Sequence, residues 1–131
     1  MGLFDKLFKS DAASDSANSA WNILETDGDL DRLIERSQEV PCVIFKHSTR
    51  CSISHMARHR LFSDWNIDAD AAEPYYLDLI AHRDLSNRIA QQFDVQHESP
   101  QVILIMSGKA VYHTSHNGIT VDGVKSALNA A

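Results

Sequence analysis

A chain of 131 residues is long enough for one domain with a real core and too short for two. With 44% hydrophobic and 23% charged residues, it has the composition of an ordinary globular protein and not of a disordered or fibrous one. A formal net charge of -6 leaves no basic stripe for phosphates, which excludes nucleic acid as a partner.

Residues 1–9 carry Leu3, Phe4, Leu7 and Phe8 at helical spacing. They read as a short amphipathic helix that docks on the domain or frays, with a membrane-surface or partner contact as the alternative. A stretch rich in Ser, Ala and Asp follows, so residues 1–20 are expected to be an N-terminal segment and linker, and residues 21–131 the folded domain. No run approaches the roughly eighteen apolar residues of a membrane span, and the N-terminus lacks the apolar core of a signal peptide. Cytoplasmic residence is therefore expected, with no other membrane contact, and a reducing compartment leaves both cysteines as thiols.

From Trp21 the pattern becomes regular. Residues 21–24 predict a short strand and 27–37 a helix with Leu30, Leu33 and Ile34 on one face, capped by Asp27 or Asp29. The apolar run 40–45 predicts a buried strand, His47, Ser48, Thr49 and Arg50 a polar turn, and a helix begins near Cys51 with Ile53, Met56, Ala57 and Leu61 as its apolar stripe. Arg60 falls inside that stripe, so either the helix bends or the arginine stem runs out to water. Asp68, Asp70 and Glu73 read as a solvated loop before a strand at 75–80, and a helix at 84–93 follows. Residues 101–106 predict a third strong strand, joined through Ser107, Gly108 and Lys109 to a hairpin partner at 110–116. Thr120 caps a last helix.

Strands and helices alternating at short spacing imply right-handed crossovers and parallel pairing, and the terminal hairpin adds an antiparallel edge. The expected class is α/β, a thioredoxin-like fold with a mixed central sheet and helices on both faces. In it, Cys51 sits where a buried strand turns into a helix, its sulfur at the unpaired N–H groups and positive dipole end. That position favours thiolate, the form that attacks disulfides, and Arg50 and His47 are expected to add positive charge. Pro100, preceded by Ser99, stands at the entry of the 101–106 strand, where a missing ladder donor is tolerated. Its peptide is open to either isomer. In a thioredoxin-like fold this loop faces the cysteine, and backbone beside the proline can pair with an extended substrate.

Lys46, His47, Ser48, Thr49, Arg50, Cys51, Ser52, Ile53 and Ser54, together with His97, Glu98, Ser99, Pro100 and Gln101, resemble the YtxJ-like monothiol bacilliredoxins. The resemblance runs from about Trp21 to the C-terminus. Arg50 stands between threonine and cysteine, and Ser52 stands where the family's Thr-Cys-Pro-Ile-Ser type of motif commonly has proline. It implies a thioredoxin fold and a bacillithiol-type low-molecular-weight thiol as co-substrate, with no tightly bound cofactor. Three residues after Cys51, where a dithiol thioredoxin has its resolving cysteine, this chain has Ser54. Ser54 either hydrogen-bonds the sulfur or is a surface serine satisfied by water. Cys42 lies too far along the preceding strand to bridge Cys51, since a disulfide needs Cα atoms within about 7 Å, and is expected to be a core thiol.

The expected cycle begins with Cys51 attacking a client-protein mixed disulfide. The client leaves reduced, and a second small thiol, or a thiol reductase as partner, clears the adduct from Cys51. Two other readings stand beside it. One is a non-catalytic thioredoxin-like redox sensor or adaptor. The other is a metal site on Cys51, His55 and His59, which recur every four residues, although three ligands on one straight helix enclose a tetrahedral ion poorly. No metal is expected. His82, His97, His113 and His116 have no mutual ligand spacing and are given no role.

Overall fold

In the computed structural model, residues 20–131 are described, so the expected N-terminal helix and all but the last residue of the linker lie outside the described residues. The elements run β1 (Asn22–Ile23), α1 (Asp27–Arg36), β2 (Cys42–His47), α2 (Ser52–Asp64), β3 (Glu73–Asp78), α3 (Arg83–Phe93), β4 (Gln101–Met106), β5 (Lys109–Ser115), a 3-10 turn (His116–Gly118) and α4 (Val121–Ala130). They build a five-stranded sheet in the order β1-β3-β2-β4-β5. β3 runs parallel to β1 and β2, whereas β4 runs antiparallel to both β2 and β5, so the antiparallel part is wider than the terminal hairpin alone.

Strand alternation splits the interior into two cores. Cys42 and Ile44 of β2 join Ile103 and Ile105 of β4 beneath α1 and α3, with Leu30, Leu33, Leu85 and Ile89 closing that side. Val43 and Phe45 join Val102 and Leu104 beneath α2 and α4, where Trp21 stacks on Phe62 at 4.6 Å between ring centres. Burial on both faces explains why β2 and β4 read as continuous apolar runs.

The element boundaries differ from the expected ones in ways that matter. β2 spans 42–47 and not 40–45, because Val40 N–H still closes the end of α1 on Arg36 O, and Glu73 N–H starts the parallel ladder on Pro41 O. β3 spans 73–78 and not 75–80, since Asp78 turns the chain by accepting the amides of Ile80 and Ala81 at 3.0 and 3.3 Å. Glu73, expected in a solvated loop, opens β3 and accepts from Arg36 Nε at 2.9 Å. Thr26, not Asp27 or Asp29, is the N-cap of α1; it accepts the Asp29 amide at 3.0 Å, and the Asp29 carboxylate accepts the Thr26 amide in return. Thr120 caps α4 as expected, accepting from Gly123 N–H at 2.9 Å. The hairpin turn places Ser107 at φ 51° and Gly108 at φ 76°, the left-handed pair of a tight two-residue turn.

Helix α2 presents a different face to the sheet from the one its apolar residues suggest. Ser54, Ala57, Leu61 and Phe62 are buried, while Ile53 is 49% and Met56 64% exposed. Arg60 is turned back onto the protein: its Nε and NH2 groups donate to Ile119 O at 3.0 Å and His116 O at 3.1 Å, tying α2 to the segment before α4.

Candidate active site at the end of strand β2

Cys51 is the N-cap residue of α2, in extended backbone at φ -116° and ψ 122°, half-buried, with its thiol free and making no capping hydrogen bond. The turn that presents it is tight: Cys51 N–H donates to Ser48 O at 3.2 Å, and His55 N–H donates to Cys51 O at 3.1 Å. The sulfur therefore stands at a helix start whose first amides lack intrahelical acceptors. Thr49 and Arg50 beside it are exposed.

Ser54 lies one helical turn on, fully buried. Its hydroxyl oxygen accepts from Ser48 N–H at 2.9 Å and lies 2.6 Å from His47 Nδ1. It therefore neither bonds the sulfur nor faces water. The serine oxygen has a second lone pair beside the one used by the Ser48 amide, so the direction of its bond with Nδ1 follows the imidazole tautomer. Ser54 shares the buried side of α2 with Ala57 and Leu61, and that spacing is the signal that marks it.

His47 belongs to β2, not to the turn, and is almost wholly buried. Its ring lies 5.8 Å from Phe45 and Tyr76 and meets His55 edge-on at 4.8 Å. Loss of solvent, aided by the nearby positive ends of His55 and Arg58, pulls its pKa down to about 4. The expected positive charge on His47 is thus absent at neutral pH, and the residue enters the site as a neutral imidazole. Arg58, half-buried, lies over Phe62 at 4.7 Å and near Tyr76 at 5.8 Å, its cation held against ring faces.

The Ser99–Pro100 loop emerges from the neighbouring strand. Gln101, the residue after Pro100, pairs with Lys46 across β2 and β4, so the Cys51 turn and the proline loop leave the same edge of the sheet side by side. The Ser99–Pro100 peptide is cis, and Pro100 is buried. The Ser99 hydroxyl is buried without a hydrogen-bond partner among the described residues.

The histidine ladder does not converge into a metal site. Among the described residues, no three His, Cys, Asp or Glu side chains form a group able to hold an ion, and His55 instead donates from Nε2 to Thr49 O at 3.0 Å. Cys42 is buried in the α1 and α3 core, where desolvation pushes its thiol up to about 12. Folded protein exposed to a neutral alkylating reagent is accordingly expected to take one label, on Cys51, and a second only after unfolding. Equal labelling of both cysteines in peptide mapping would contradict this placement.

Sequence reasoning names Lys46, Ser48 and Gln101 within the motifs but assigns them no role, whereas all three are buried at the base of the two loops. Polar residues at the end of an apolar run read as a turn because buried charge is uncommon, and only the partners supplied by distant elements show otherwise.

Residues 22–124 match the protein family described as monothiol bacilliredoxin BrxC. Among solved structures, the chain is similar to one described as a candidate oxidoreductase with a thioredoxin fold, at 30% identity over 85% of this chain and 96% of that one, with a TM-score of 0.73. It is also similar to oxidised mitochondrial thioredoxin 3 from Saccharomyces cerevisiae, at 13% identity over 88% of this chain and 99% of that one, TM-score 0.66. Thioredoxin from Fasciola hepatica gives 17% identity, 83% and 97% coverage and a TM-score of 0.62. The two thioredoxins share the fold. Among the described residues, no helix is long and apolar enough to cross a membrane.

Proposed function

The chain belongs to the monothiol bacilliredoxin family of thiol–disulfide oxidoreductases, and from that premise we propose that Cys51 strips a bacillithiol-type small thiol from client-protein mixed disulfides. The supporting observation is the contrast between its sulfurs. Cys51 is an accessible free thiol at a helix start, Ser54 occupies the position one turn on, and Cys42 is walled into the opposite core.

The chemistry is an exchange of one sulfur–sulfur bond for another. Cys51 thiolate attacks the small-thiol sulfur of the mixed disulfide, the client thiolate leaves, and the small thiol remains on Cys51. A second small-thiol molecule, as thiolate, attacks that adduct, forms the symmetrical disulfide and returns Cys51 as thiolate. A separate thiol reductase then consumes the symmetrical disulfide. The Ser99–Pro100 loop supplies the surface for the client's extended backbone. Thr49 and Arg50 border the sulfur, and His47 with Ser54 hold its turn. A reducing cytoplasm suits this cycle, which needs free small thiol for its second step.

Intact-protein mass spectrometry after parallel incubation with oxidised bacillithiol and oxidised glutathione tests the reading. Wild type is expected to gain one bacillithiol on Cys51 faster than it gains glutathione, Cys51→Ala to gain none, and catalytic amounts to reduce a mixed disulfide repeatedly when free bacillithiol is present. A stoichiometric adduct with no turnover would instead favour a redox sensor.

A further inference from the structure

Strand β2 ends in consecutive buried polar residues whose side chains point to opposite faces of the sheet. His47 faces α2 and holds the Cys51 turn through Ser54. Lys46 faces the other way, toward α3 and the loop leading to Pro100. It is fully buried, its Nζ donates to Ser86 O at 3.1 Å, and it lies 3.3 Å from His97 Nδ1. Burial and the Lys46 charge both pull the His97 pKa down, which leaves Nδ1 of a neutral ring free to accept.

Gln101, the register partner of Lys46 on β4, completes the anchor. Its side chain donates to Gln96 O at 2.9 Å and accepts from Glu98 N–H at 3.4 Å. The chain from Gln96 to Glu98 is therefore gripped from inside on successive residues, immediately before Ser99 and Pro100. A methionine would fill the same space without the cost of burying an ammonium group, so the lysine's distinct contribution is its directed bonds, of which the one to His97 reaches the loop before Pro100. Among the described residues, no hydrogen bond joins this cluster to the Ser48–Cys51 turn, which is fastened from the other face of the sheet through Ser54.

We propose that Lys46 is a positioning residue for client recognition: it fixes the approach to the Ser99–Pro100 loop from beneath, and so governs binding of peptide-borne mixed disulfides without governing the exchange at Cys51. This inference rests on the function proposed above. It assigns the two arms of the site to consecutive residues, Lys46 for the loop that meets the client backbone and His47 for the turn that carries the sulfur.

The test compares Lys46→Met with wild type on two substrates: oxidised bacillithiol, and a short extended peptide whose single cysteine is disulfide-bonded to bacillithiol. Rates of adduct formation on Cys51 are measured against substrate concentration. The substitution is expected to raise the half-saturating peptide concentration about tenfold while leaving the maximal rate, and the rate with oxidised bacillithiol, within about twofold of wild type. His97→Ala removes the same bond from the other end and is expected to reproduce the split. Both substitutions delete the Lys46–His97 bond, and Lys46→Met alone also removes the bond to Ser86 O, so the loss in the double variant should fall short of the sum of the two single losses. His97→Ala also carries the test should Lys46→Met fail to fold. Equal losses on both substrates, or no change on either, would overturn the proposal while leaving the exchange function standing. Wild type that forms no adduct with either substrate would remove both.

Discussion

Ser54→Cys is expected to convert a protein that stops at a small-thiol adduct into one that closes an internal disulfide. Residue 54 lies one helical turn from Cys51, and such neighbours have Cβ atoms roughly 5–6 Å apart, near the reach of a disulfide after a small adjustment of the helix start. The introduced thiol would replace a hydroxyl that lies 2.6 Å from His47 Nδ1, and it ionises by losing its proton to solvent base, because an imidazole with a pKa near 4 is too weak a base to keep that proton. The resulting thiolate attacks the Cys51 sulfur of the adduct, the small thiol leaves, and the protein is left two hydrogens lighter than its reduced form. Sulfur accepts the Ser48 amide less well than oxygen does, which should lower stability by about 1 kcal/mol. Mass spectrometry in time after adding a small-thiol disulfide should show the adduct rise and fall in the variant and persist in wild type. A persistent adduct in Ser54→Cys would show that the buried position cannot reach the sulfur. An internal Cys42–Cys51 disulfide in wild type would instead refute the single-cysteine mechanism.

The order of elements and the place of Cys51 at a strand-to-helix junction were both legible from apolar periodicity, because β2 and β4 are buried on both faces and their runs stand out. What the pattern could not carry was the far side of each contact. His47 reads as the start of a polar turn and Lys46 falls between strand and turn, since nothing local marks Ser54, Ser86 and His97 as their partners. The face of α2 was misjudged for a related reason. Ile53 and Met56 are its conspicuous apolar residues, yet they are the exposed ones, and the helix is seated by small Ser54 and Ala57 against the sheet. Ser54 was thereby taken for a ligand of the sulfur or a wet surface residue, when its work is to hold the Ser48 amide and the His47 ring. The isomer of the Ser99–Pro100 peptide has no local signature either.

Acid is expected to loosen this anchor by protonating the unfolded chain. His47 has a pKa near 4 when folded and the ordinary value near 6.5 when unfolded, so between these values the unfolded state binds a proton that the folded state refuses. Stability is fully present above about pH 6.5 and is lost progressively as pH falls toward 4, by about 2–3 kcal/mol in all. His97, also depressed by burial, adds to the same slope. Titrating carboxylates contribute at the acid end, so the informative quantity is a difference between proteins. His47→Asn keeps an acceptor oxygen near the position of Nδ1 and removes the titration. Urea unfolding at a series of pH values should give a wild-type free energy that falls more steeply between pH 6.5 and 4 than that of the variant. Parallel curves would mean that His47 keeps its ordinary proton affinity in the folded state, contrary to its burial. A steeper wild-type fall would tie the geometry of the Cys51 turn to one neutral imidazole, with the Ser54 hydroxyl as the link between them.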